Sequence, residues 1–215
     1  MPMCVIIGRP VPEIVYTDGA VDGTSTATHT YTGISLGTAA AGRAILVGVA
    51  GGASTTAVTV AGVAATQIVA SSGFANISIW LAVVEAGTSG TVVVTQSAAD
   101  FNIFIGVAAA YNLESTAAID TAAAQSNTSN VLTVSMNTVS NGVAFGVTFL
   151  STPDAGANAT WSGLTENAQI GGGSPLSCLS IASLDTTTTE TPRGITATWN
   201  QTATYSKAAV AASFS

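Results

Sequence analysis

Side chains along almost the whole chain alternate in character with a period of two. In Asn76–Glu85, Ile77, Ile79, Leu81 and Val83 share one parity, and Ser78, Trp80, Ala82 and Val84 the other. In Phe101–Tyr111, Phe101, Ile103, Ile105 and Val107 alternate with Asn102, Phe104, Gly106 and Ala108. In Gly142–Leu150, Val143, Phe145, Val147 and Phe149 alternate with Ala144, Gly146 and Thr148. A strand turns successive side chains to opposite faces, so this pattern is that of β-structure. A helix needs apolar positions at i, i+3, i+4 and i+7, and no window shows them. Lys, Glu and Arg are also too rare to build a polar helix face: charged residues make up 7% of the chain.

The pattern predicts about a dozen strands. Others fall at 25–32, 43–50, 57–60, 64–69, 90–96, 131–136, 176–184, 194–199 and 207–214, with Leu132, Val134 and Met136 inward. Clusters of Gly, Ser, Thr, Asn and Asp separate them. Val58–Ile68 reads as a tight hairpin around Ala61-Gly62, with Gly62 supplying the positive φ such turns require. Many short strands at even spacing imply an all-β fold, a single antiparallel β-sandwich of jelly-roll type over 14–215, preceded by an extended N-terminal arm over 1–13. Thr-Trp recurs at Thr160-Trp161 and Thr198-Trp199, but the flanks differ and no internal repeat is read from it. Residues 37–42, 121–130 and 185–191 read as polar connections. Parity places Ile79, Leu81, Ile103, Ile105, Phe145, Val147, Leu179 and Ile181 in the core.

Composition removes several classes of function. Mean hydropathy is +0.52, yet no run approaches the roughly 18–20 apolar residues of a spanning helix. The four basic residues, Arg9, Arg43, Arg193 and Lys207, are scattered, so no phosphate-neutralising stripe for nucleic acid exists. Hydrophobic residues at 47% argue against disorder. The N-terminus lacks the basic, apolar and small-residue order of a secretory signal. Cys4 and Cys178 lie far apart and outside any secretory context, and Cys178 reads as a small core residue rather than half of a disulfide.

The faces opposite the core carry Ala, Gly, Ser and Thr where most soluble sheets carry Lys and Glu. Charge is the usual deterrent to edge pairing. A surface without it is either covered by neighbouring subunits or kept soluble by the net charge of −7 and its hydroxyls. The first reading is favoured.

Arg43–Gly48 (RAILVG), the hairpin Val58–Ile68 (VTVAGVAATQI), ISIWLAVVEAGTSGTVVVT and WSGLTE together resemble a diffuse group of bacteriophage virion proteins, Ala/Gly/Thr-rich β-sandwiches. The resemblance spans most of residues 30–214. It implies a non-enzymatic structural subunit, capsid-decorating or tail-associated, made in the host cytoplasm and carried in the virion. Its partners would be copies of itself and other virion proteins. The alternative is a carbohydrate-binding adhesion module whose partner is a surface glycan.

Candidate sites are few. Asp18-Gly19 and Asp22-Gly23 place two carboxylates in one predicted loop, where a calcium ion would find oxygen ligands, but the EF-hand spacing is absent and a pair of Asp-Gly turns is the favoured reading. His29, the lone histidine, shares a strand face with Ala27 and Tyr31 and has no nucleophile elbow to serve. Trp161, in the loop-like WSGLTE segment, is the candidate for stacking on a sugar, whereas Trp80 and Trp199 sit within strands and fill core. The aliphatic Val5, Ile6 and Ile7 would let the arm clamp a neighbouring copy. No catalytic residue, cofactor or transition-metal shell is expected from one histidine and two distant cysteines.

Overall fold

The computed structural model describes residues 9–73, 75–151, 156–171, 177–201 and 204–215. Val5, Ile6 and Ile7 of the expected arm, and Cys4, lie outside them. Among the described residues there are strands and no helix. The first half contains β1 (Glu13–Asp22), β2 (Thr26–Ser35), β3 (Ala44–Gly51), β4 (Thr55–Val60), β5 (Val63–Ala64), β6 (Thr66–Ser71), β7 (Asn76–Val83), β8 (Ser89–Asp100) and β9 (Ile103–Tyr111). The second contains β10 (Asp120–Ser126), β11 (Val131–Thr138), β12 (Gly142–Ser151), β13 (Ala159–Ser162), β14 (Thr165–Gly171), β15 (Cys178–Thr186), β16 (Glu190–Trp199) and β17 (Ser206–Phe214). The antiparallel sandwich expected from the alternation is present. The hairpin turn is too: Ala61 and Gly62 both have positive φ, at 49° and 81°, which is the two-residue turn that matches strand twist.

The topology departs from a single sandwich of two sheets. Among the described residues four sheets form, in the orders β1-β9-β3-β7-β6, β2-β8-β4-β5, β10-β17-β12-β15-β14 and β11-β16-β13. The third repeats the first strand for strand and the fourth repeats the second, with only the two-residue β5 lacking a counterpart. Each half is therefore a sandwich of one inner and one outer sheet. The repeat extends to hydrogen bonds. Asp18 accepts the N–H groups of Gly19 and Ser35, both at 2.8 Å. Asp120, its counterpart, accepts those of Thr121 and Asn137, again at 2.8 Å. In each case the carboxylate ties the start of the sandwich to a residue seventeen positions on.

The two inner sheets pack face to face. β1 lies over β14 and β6 over β10, so each half presents the same edges to the other in exchange, as across an approximate two-fold axis. Between them lie Leu46, Ile79, Leu81, Phe104, Phe145, Val147, Phe149, Leu179 and Ile181. Ile103 and Ile105 face the other way, into the core of the first sandwich with Ile45, Val47, Trp80 and Val92. All eight residues expected in the core are buried, but in two separate cores. Every residue of β3 is buried, as are eight of nine in β9 and β17. The outer strand β11 alternates strictly, with Leu132, Val134, Met136 and Thr138 inward.

This arrangement corrects the reading of the small-residue faces. On the inner strands those faces are covered by the chain's own other half. Gly19, Gly106 and Gly48 are paired in one row across β1, β9 and β3. A Cβ at Gly19 would lie 2.5 Å from Ile170 Cδ1, at Gly106 2.4 Å from Ile181 Cγ1, and at Gly48 2.6 Å from Val147 Cγ2. The glycines form a groove, and Ile170, Ile181 and Val147 of the second half form the ridge that fills it. Sheet surfaces this close exclude even a methyl group, which is why the row is glycine.

Candidate functional site

Most charged groups among the described residues are engaged by other groups of the chain, although Arg9, Glu13, Glu85, Glu114, Glu166 and Asp185 remain exposed. Asp100 accepts backbone N–H groups from Gly52, Ala53 and Phe101 and so fixes the turn between β8 and β9. Asp185 of β15 accepts the Ile14 N–H of β1 at 2.9 Å and ties the halves together. Arg43 is fully buried, and its guanidinium donates to the carbonyls of Val84, Gly37, Ala86 and Gly87 at 2.7–3.0 Å. Arg9 pairs with Glu114 beside the connection between the halves, and Arg193 with Glu190. The exposed faces of the outer sheets carry Thr28, Thr30 and Thr32 on β2, and Thr133, Ser135, Thr160, Ser162, Thr196 and Thr198 on the other. There Thr133 and Thr196 hydroxyls meet at 3.2 Å.

The expected calcium pair is not brought together. Asp18 and Asp22 lie in β1 rather than in a loop, four residues apart, a separation of roughly 13 Å along a strand. Asp18 is engaged as above. Asp22 accepts the Thr24 N–H and hydroxyl at 2.8 Å and faces His29 Nδ1 at 3.0 Å. Burial alone would raise the Asp22 pKa, but these hydrogen bonds from Thr24 and His29 outweigh it and hold the carboxyl below the ordinary range. Among the described residues no three His, Cys, Asp or Glu side chains cluster as a metal site would need.

His29 points into the first sandwich with no exposed surface, and its Nε2 has no hydrogen-bond partner. Gln96 Oε1 is likewise buried and unpartnered. His29 pairs with Val94 in the ladder, so Gln96 is its diagonal neighbour on the same face. In the second sandwich the corresponding pair is Leu132, opposite Ala197, and Trp199. Cys178 is buried; desolvation, reinforced by the charge of Glu166, pushes its thiol up to about 11 and keeps it protonated.

Trp161 is not a free platform. It lies in β13, donates its indole N–H to Ser180 Oγ at 2.8 Å and packs beside Gly146 of β12. Trp80 and Trp199 fill core as expected. Trp80 donates its indole N–H to Ser78 Oγ of its own strand at 2.8 Å.

The feature the sequence reading missed lies beside Ser78. A cleft of about 210 Å³ opens between the edges of the first inner and outer sheets. Its lining is Ser54, Thr55, Gln67, Ser71, Ser72, Asn76 and Ser78 with Ala70 and Ile77. Ser54 donates to Asn76 Oδ1, Asn76 donates to the Gly52 carbonyl, and Gln125 donates to Ser71 Oγ. The one sequence signal was Ser78 itself, a hydroxyl on a buried parity of a strand otherwise apolar there.

No protein-family model matches the chain, and no curated protein matches it. Among solved structures, an anti-sigma factor domain-containing protein aligns over 89% of this chain and 84% of its own, at 9% identity and a TM-score of 0.27. So slight a likeness carries no conclusion about role. Among the described residues no helix is long and apolar enough to cross a membrane.

Proposed function

We propose that the chain is a non-enzymatic structural subunit of a large assembly, a bacteriophage virion protein that decorates the capsid or belongs to the tail. The observation that carries this reading is the placement of charge. Asp18, Asp22, Glu85, Asp100, Asp120 and Asp185 accept backbone N–H groups and Arg43 donates to backbone carbonyls, while the exposed faces of the outer sheets present threonine and serine. Interface cores are depleted in charged residues, and a neutral sheet with open edges has little to deter a neighbour. Two like sandwiches joined through their inner sheets leave two like outer faces on opposite sides, suited to a subunit that bridges copies of itself or other virion proteins. The sequence resemblance supports the same reading.

Light scattering after size exclusion tests assembly directly. The expected result is a mass that is a multiple of 21.2 kDa and rises with concentration. A monomer at all concentrations, both alone and mixed with lysate from phage-infected cells, together with absence of the chain from purified particles by mass spectrometry, would defeat the proposal.

A further inference from the structure

The second sandwich closes the gap that the first leaves open. Gln169 of β14 sits opposite Ser180 of β15. It reaches from the inner sheet to the outer one, donating to the Ala159 carbonyl of β13 at 2.9 Å and accepting the Ala159 N–H at 3.4 Å. The corresponding residue of the first sandwich is Ala70 of β6, opposite Ser78 of β7. A methyl group cannot make that bridge, and the cleft lies where it is missing.

We propose that this cleft is a binding site for an uncharged, hydroxyl-rich ligand, a neutral saccharide. Seven of its nine lining residues carry hydroxyl or carboxamide groups, and none carries a charge. Hydroxyls and carboxamides both donate and accept, which matches the dual character of sugar hydroxyls. An anion would find no cation here and a metal ion no carboxylate. The floor is built: Ser78 is 3% exposed, and since its oxygen already accepts the Trp80 indole, its own proton is left to donate into the cleft. Asn76 and Ser71 are held from behind by the bonds described above, so part of the recognition surface is fixed before any ligand arrives. Ala70, which is exposed, supplies a small apolar surface for the C–H face of a ring. This inference does not depend on assembly, and either can fail alone.

The test is titration of the full chain, followed by amide nitrogen–proton correlation spectra, with glucose, galactose, mannose and N-acetylglucosamine, and with sialic acid and glucosamine as charged comparators. The expected result is that at least one neutral sugar saturates shifts at Ser54, Thr55, Ser72 and Ser78. Ala70→Gln, which grafts the second sandwich's bridge onto the first, should weaken that sugar by about tenfold or more in a protein with an otherwise unchanged spectrum. Gln67→Ala, at an exposed side chain, should weaken it too and serves if the graft disturbs the fold. No saturable shift with any neutral sugar, tighter binding of the charged comparators, or unchanged affinity in a folded Ala70→Gln or Gln67→Ala variant would each overturn the proposal.

Discussion

Replacing Gly106 by alanine tests whether the inner sheets meet as a ridge in a groove. Gly106 is in the middle of β9, paired to β1 on one side and β3 on the other. Glycine within a strand is ordinarily a weakness, and alanine there should stabilise by about 0.5–1 kcal/mol. The structure reverses that sign. The new Cβ would lie 2.4 Å from Ile181 Cγ1 and 2.5 Å from its Cδ1, with Ile170 Cδ1 at 3.3 Å. Carbon atoms in good contact are about 3.5–4.0 Å apart, so the overlap exceeds an ångström or so. Cγ1 is not a free tip, because a β-branched side chain is stiff at χ1. Relief therefore requires an off-rotamer Ile181 or a wider sheet spacing, at about 1–3 kcal/mol. For a chain of this size that is a fall of roughly 2–12 °C in Tm. The assay is denaturant and thermal unfolding of Gly106→Ala, Ile181→Ala and the double variant. Ile181→Ala alone should cost about 2–5 kcal/mol. Adding Gly106→Ala to it should then cost nothing, giving a coupling of about 1–3 kcal/mol. Gly194→Ala, where a Cβ would meet nothing within 4 Å, is the control and should be neutral or stabilising. A Gly106→Ala protein as stable as the parent, or equal effects of Gly106→Ala with and without Ile181, would refute the packing argument.

Other outcomes follow from single groups. Arg43→Met should destabilise by at least about 3 kcal/mol in urea titrations, because it strands the Val84, Gly37, Ala86 and Gly87 carbonyls around a buried site; Arg43→Lys should recover only part, since one ammonium cannot reach four acceptors on both sides of a planar fork. The double variant His29→Leu, Gln96→Leu should lose less than about 2 kcal/mol, because removing both buried unpartnered atoms offsets the loss of the His29–Asp22 and Gln96–Ala53 hydrogen bonds; a larger loss in urea titrations would mean that the polar pair is satisfied in solution. The carboxyl of Asp22 is held below its ordinary range, so its contribution to stability is present above about pH 4 and is lost as pH falls through the folded value. Asp22→Asn should therefore be destabilised at pH 7, with the gap to the parent closing in acid unfolding curves; a pH-independent gap would contradict this.

Period-two alternation was enough to establish strand class, the tight turn at Ala61-Gly62, the inward set of β11 and the core positions of Trp80 and Trp199, because strand geometry converts local sequence directly into facing. It placed Trp161 and Asp22 wrongly, in loops, because β13 and β14 are short edge strands and β1 is polar along much of its length. Even so, the nine-residue run Ile103–Tyr111, apolar or small throughout, carried a sign of burial on both faces that alternation alone does not convey. What covers the second face could not be read locally. The small residues there looked like a surface for other copies, and tertiary structure supplied the partner from far along the same chain: Ile170 for Gly19, Val147 for Gly48 and Ile181 for Gly106.

Local alternation thus established the facing of the strongly apolar strands and the turn at Ala61-Gly62, but not the polar strands β1, β10, β13 and β14. Long-range packing gives the rest: two sandwiches, inner sheets that cover one another, and one gap bridged by Gln169 while the other stays open at Ala70. The repeat escapes the sequence for a physical reason. Gly48 and Gly106 occupy the places in the first inner sheet that Val147 and Val210 occupy in the second, and a ridge fits a groove only if the two surfaces differ. Packing the halves against each other drove equivalent positions apart, while the strand order and the clamps of Asp18 and Asp120, which serve each sandwich alone, stayed the same.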